Sequence, residues 1–196
     1  MSQPSPHSLD PVPPMDSEIT LVNPGPPTPY FLSSSDLRDA VIYAQPAIPL
    51  YRITSDSKYI RINDGLAPGR IIAILHRREL LPNTVSFPGR GKGTPLNLQK
   101  WLRKTKSSHG GISYVMNTEY GTCIWKVVSA HHQKVFADYD TEKPLASCCL
   151  HQNLPQGKPA FILENIAEPL RDEIVVGYLV QRHRVMMEDV AIDLFG

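Results

Sequence analysis

The sequence predicts a mainly β fold: a closed or nearly closed antiparallel β-barrel with one buried apolar helix near the C-terminus. Three observations carry this expectation. Between Tyr30 and Leu163 the chain is a succession of short β-branched and aromatic runs broken by Pro, Gly, Asn and Asp. A single unbroken apolar run, Ile174 to Val180, follows. Glu168, Asp172 and Glu173 precede that run and Arg182, His183 and Arg184 come after it, the charge order that a helix macrodipole favours.

Taken in order, residues 1–29 hold nine of the nineteen prolines and neither Lys nor Arg. Such a segment buries too little apolar surface to offset its ordering entropy, so a disordered Pro-rich leader is expected, with residues 30–196 as a single domain. Pro11 to Pro14, Pro24 to Pro27 and Pro26 to Pro29 fit a PxxP spacing, a protein-recruitment signal that chance also supplies in Pro-rich tails. Ser33 to Ser35, followed by Asp36, Leu37 and Arg38, suit a cap or short turn. Strands are expected at Val41 to Tyr43, Leu50 to Thr54, Lys58 to Ile62, Arg70 to Leu75, Thr84 to Phe87, Leu96 to Leu102 and Ile112 to Met116. Further strands fall at Cys123 to Val128, Lys134 to Tyr139, Ala146 to Leu150 and Ala160 to Leu163. Turn signals such as Asn63-Asp64-Gly65 and His109-Gly110-Gly111 join them as antiparallel meanders. Pro169 stands where a first helical residue would. A helix apolar on every face is buried all round, either inside a barrel or across one open side of a sheet.

Composition narrows the function classes. With 196 residues, 41% hydrophobic, the chain can bury a sizeable core. A net charge of +1 is too small for an overall field that holds nucleic acid, so any anion site is local and no specific nucleic-acid binding is expected. The longest apolar run is far below the roughly 20 residues that cross a bilayer. The start lacks a signal-peptide pattern. With three cysteines and no Asn-x-Ser/Thr acceptor, a cytoplasmic or otherwise intracellular location is expected, including peripheral attachment to a membrane.

Tyr51 to Thr54, Trp101 with Leu102, Gly121 to Trp125, and Leu170 to Val176 resemble landmarks of a domain family of unknown function abundant in basidiomycete fungi. Its architecture looks like the tubby C-terminal, scramblase and LURP-one type of barrel. The resemblance implies about twelve strands enclosing one C-terminal apolar helix. It implies no activity. Relatives at the level of fold include phosphoinositide binders and lipid-associated proteins, and fold alone does not transfer function.

The clearest charge feature runs from Leu80 to Thr118, which carries Arg90, Lys92, Lys100, Arg103, Lys104 and Lys106 without one Asp or Glu. These six are the anion-binding candidates, with Gly89 to Gly93 able to turn backbone N–H groups toward a phosphate. A solvated basic loop is the plainer account, and the GxxxxGK[ST] spacing of a nucleotide P-loop is absent. Cys123, Cys148 and Cys149, with His131, His132 and His151, raise thiol or metal chemistry. Yet Cys148 and Cys149 should face opposite ways on a strand, His131 and His132 should diverge, and no CxxC or HxxxH pair occurs. No catalytic residue, metal or cofactor is therefore expected. The expected function is a non-enzymatic binding or interaction module that engages an anionic lipid headgroup or another polyanion through the basic segment. Its rivals are a cysteine-dependent or pocket-based enzyme and a protein scaffold recruited through the Pro-rich tail.

Overall fold

The computed structural model describes residues 25–34, 36–44, 48–78, 80–90, 93–106, 111–129, 131–151, 154 and 158–195, with side chains through residue 185. Most of the leader, residues 1–24, lies outside them. Thr28 and Pro29, placed in the leader by composition, open the first strand, β1 (Thr28–Leu32). An antiparallel meander continues through β2 (Asp39–Ala44), β3 (Ile48–Ser55), β4 (Tyr59–Asp64), β5 (Ile71–His76), β6 (Thr84–Ser86) and β7 (Leu96–Asn97). After a one-turn helix, α1 (Leu98–Trp101), a second meander runs through β8 (Leu102–Lys106), β9 (Ile112–Thr118), β10 (Gly121–Ser129), β11 (His132–Ala137), β12 (Pro144–Cys149) and β13 (Phe161–Leu163). Pairing of β1 with β13 joins the two meanders into one thirteen-stranded sheet whose edges are β7 and β8.

The ladder is not closed, and strand parity gives the reason. Every neighbouring pair is antiparallel, so across thirteen strands the two edges, β7 and β8, run in the same sense. The edges could meet only as a parallel pair, whose crossover needs a dozen or more residues. Here they are joined by the four residues of α1. Laid flat, the sheet would be roughly 58 Å wide at about 4.8 Å per strand. One helical turn cannot span that, so the sheet wraps round until its edges flank α1. The strand expected over Leu96 to Leu102 is thus broken in the middle. Asn97 Oδ1 caps the turn by accepting from Gln99 N at 2.9 Å and Lys100 N at 3.1 Å.

The wrapped sheet encloses the C-terminal helix, α2 (Arg171–Phe195). Residues 173–182 are all buried. Their contacts come from all round the sheet. Gly177 lies against Met116 of β9 and Trp125 of β10, Tyr178 packs on Phe161 of β13 and donates to the Cys149 carbonyl of β12 at 3.3 Å, and Tyr51 of β3 donates to Asp172 at 2.5 Å. Of the two settings open to an all-apolar helix, enclosure is the one observed.

Two expectations about this helix need correction. Pro169 is not its first residue but sits inside a 3₁₀ turn, Asn165–Leu170, that runs directly into α2; a missing N–H is tolerated there. Nor do Arg182, His183 and Arg184 end the helix, which continues to Phe195. Arg182 is 0% exposed, and its guanidinium leaves the helix surface to donate from Nη1 to the His151 carbonyl at 2.5 Å. That acceptor beyond the end of β12 lets a cation lie in the core without terminating the helix.

Candidate functional site

At the start of α2, acids and cations neutralise one another. Asp172 and Glu173 occupy the first helical turn, as the macrodipole favours. Each also has a partner. Asp172 accepts from Tyr51 Oη, which in turn accepts from Arg171 Nε at 2.9 Å. Burial first, and then the Asp172 charge, push the Tyr51 hydroxyl pKa well above its usual value. Glu173 binds both guanidinium nitrogens of Arg90, with Nη2 at 2.7 Å from Oε2, and Glu119 stands 3.7 Å from Arg90 Nε. A cavity of about 310 Å³ adjoins this cluster, and among the described residues that line it Arg90 is accompanied by two carboxylates, Glu119 and Glu173.

The basic segment does not gather into one patch. Arg90 is taken by Glu173, and Lys92 lies outside the described residues. The Gly-rich loop uses its own amides, with Arg90 N donating to Phe87 O at 3.0 Å and Gly93 N to Arg90 O at 2.9 Å. Lys100 is exposed on α1. Arg103, Lys104 and Lys106 are exposed on β8, where alternation puts Lys104 and Lys106 on the face of buried Leu102 and Arg103 on the other. An edge strand so charged resists pairing with another chain.

Cations do converge beside the far half of the enclosed α2 segment. A cavity of about 190 Å³ is lined by His76 at the end of β5, Arg77 just after it, Thr84 of β6, Gln99 of α1, and His183 and Arg184 of α2. Among the described residues that line it there is no carboxylate. Arg77 donates from Nη2 to Ser55 Oγ and, at 2.8 Å, to the Asp56 carbonyl. Its Nε is buried without a hydrogen-bond partner. A buried donor on a cation is costly to leave unmet. Burial first, and then Arg77, hold the His183 pKa below its usual value. Arg184 lies 5.3 Å from the Tyr114 ring, and Tyr114 pairs with Lys104 in the β8–β9 ladder. None of the described cations of the basic segment is among the residues that line this cavity. The sequence missed the site, because His76, Arg77, His183 and Arg184 are brought together only by the wrapped sheet.

A second surface groove, about 730 Å³, shares His76 and Arg77 with this cavity and adds Lys58, Arg78, Leu80 and Leu81. Leu80 is 96% exposed and Leu81 61%. Two neighbouring bare leucines among cations are not explained by packing.

On another side of the sheet, the cysteine and histidine candidates meet. Cys148 faces inward and Cys149 is half-buried, the opposite orientations expected of adjacent strand residues. Burial pushes the Cys148 thiol pKa up, and that of Cys123 up to about 11. His131 and His132, expected to diverge, both pack on His151, at ring separations of 4.5 and 5.3 Å. His131 lies in the turn before β11, where strand alternation does not apply.

The fold and this cationic mouth define a class: a helix-filled antiparallel sheet with a cavity beside its central helix whose described lining carries no acid. The chain belongs to the family of unknown function DUF6593, whose model matches residues 35–187. No curated protein matches the chain, and no solved structure does. Among the described residues, no helix is long and apolar enough to cross a membrane.

Proposed function

We propose that this domain is a non-enzymatic, intracellular module that docks peripherally on anionic membranes, with a phosphate-bearing headgroup held in the cavity between Arg77, His183 and Arg184. The observation that carries the reading is Arg77. It is a cation on the wall of a cavity whose described lining holds no carboxylate, next to the bare Leu80–Leu81 tip. An anion would satisfy the first feature, and the acyl boundary the second. Lys58 and Arg78 supply a positive rim, each cation near an anionic surface contributing about 1 kcal/mol. In this reading the tubby-like resemblance extends to architecture, supported by the enclosed C-terminal helix, and the Pro-rich residues before β1 are a leader to one domain.

Sedimentation with phosphatidylserine-containing vesicles at low salt tests the proposal, with phosphatidylcholine vesicles and soluble inorganic phosphate as separate arms. Binding to the anionic vesicles alone is expected. It should fall roughly five- to thirtyfold in Arg78→Glu and further in the Leu80→Glu, Leu81→Glu double variant, while Arg103→Glu on the opposite face of β8 changes it little. Equal binding to both vesicle types, or none to the anionic ones, contradicts the reading. Binding of phosphate without vesicles would leave the cavity assignment standing and remove the membrane.

A further inference from the structure

We propose that His132, Cys149 and His151 form a zinc site on the outward face of the β11–β12 hairpin, with a fourth coordination position open. The ladder creates the arrangement. His132 and Cys149 are directly opposed residues of β11 and β12, so their side chains share a face. His151 follows Cys149 by two, which returns it to that same face. One potential ligand atom from each residue lies within 4.8 Å of the other two. A tetrahedral zinc with nitrogen ligands near 2.1 Å and sulfur near 2.3 Å sets its ligand atoms about 3.3–3.7 Å apart. Side-chain rotation of about 1 Å closes the difference, and His132, exposed at the end of its strand, is free to make it.

The surroundings already hold the three donors. Leu150 N donates to the His131 carbonyl at 2.7 Å, extending the ladder past Cys149. His131 stacks on the His151 ring, and Arg182 holds the His151 carbonyl. Ser129 Oγ lies 3.4 Å from His132 Nδ1, an outer partner that leaves Nε2 to face the metal. Two imidazoles and a thiolate suit zinc and exclude calcium or magnesium, which take oxygen ligands. Binding would form one Zn–S and two Zn–N bonds and release the Cys149 thiol proton to solvent, with no change of oxidation state. Three protein ligands leave one position, beside a groove of about 370 Å³ that also touches Val128, Lys158 and Ile162. That is the coordination of a site that exchanges water or an external ligand rather than a closed structural one.

The full chain, stripped with chelator under reducing conditions and titrated with Co²⁺ alone, supplies the test. One equivalent should bind, giving a sulfur-to-cobalt charge-transfer band and the intense visible bands of tetrahedral cobalt, both bleached by one equivalent of Zn²⁺. The charge-transfer band should vanish in Cys149→Ser. Affinity should drop about tenfold or more in His132→Ala and in His151→Ala. Cys123→Ser, at a thiol elsewhere in the core, should retain both signals, and circular dichroism should confirm that the variants fold. An octahedral spectrum, or a charge-transfer band that survives Cys149→Ser, overturns the proposal. Because the site lies apart from the cationic cavity, vesicle binding should be the same in Cys149→Ser and the native chain.

Discussion

Replacing Arg90 with methionine is expected to destabilise the fold by about 3–5 kcal/mol, measured as a shift in denaturant midpoint at constant slope. The Glu173 side chain is 1% exposed and that of Arg90 20%, so this is a largely buried pair. Bringing two charges out of water is costly, and the bidentate geometry recovers much of that cost. Removing only the guanidinium leaves the carboxylate desolvated, with no other cation at hydrogen-bond distance among the described residues. Glu119 cannot compensate, since it carries the same sign. Phe87, whose ring lies 5.0 Å from the Arg90 guanidinium, loses its cation as well. The paired substitution Arg90→Met with Glu173→Met removes both charges and should therefore be less harmful than Arg90→Met alone. If the double variant were the less stable of the two, the unpaired Glu173 carboxylate would not be the source of the loss and the burial argument would be wrong.

Gly177→Ala should also destabilise, by about 1–3 kcal/mol, although alanine is the better helix former by about 1 kcal/mol. A Cβ at residue 177 would stand 2.7 Å from Trp125 Cζ2 and 3.2 Å from Met116 Sδ. Neither neighbour has room to withdraw, because both are completely buried. Glycine at this point lets α2 approach β9 and β10. The indole Nε1 of Trp125 has no hydrogen-bond partner, so the ring serves packing rather than polar contact. Trp125→Phe removes the offending ring edge together with that unmet donor. In the Gly177→Ala background it should restore part of the lost stability; the two effects being simply additive would show that the helix and indole do not meet.

The helix was legible because Ile174 to Val180 offers no polar face to water, and most strands were legible because turn residues punctuate them. What escaped detection depended on distant partners. Thr28 and Pro29 look like the end of a Pro-rich tail until β13 supplies their ladder. Leu96 to Leu102 has strand composition, and only the parity of the sheet requires a helical turn there. Arg182 resembles a helix-ending cation because nothing local announces the His151 carbonyl that receives it. Six cations between Leu80 and Thr118 looked unopposed, yet Glu173 lies 83 residues from Arg90 in sequence. The cationic cavity draws on β5, β6, α1 and α2, so no spacing within one segment could mark it. The Cys149-x-His151 step was visible, but placing His132 opposite Cys149 required the hairpin register.

Native-state hydrogen exchange across Ile174 to Arg182 tests the enclosed helix most directly. Surrounded by sheet, these amides should exchange only through global unfolding, with the same free energy and denaturant dependence as the β10 amides around Trp125. Exchange at a distinctly lower free energy, with a denaturant dependence below that of global unfolding while β10 stays protected, would mean that α2 leaves the sheet as a unit and would contradict the account.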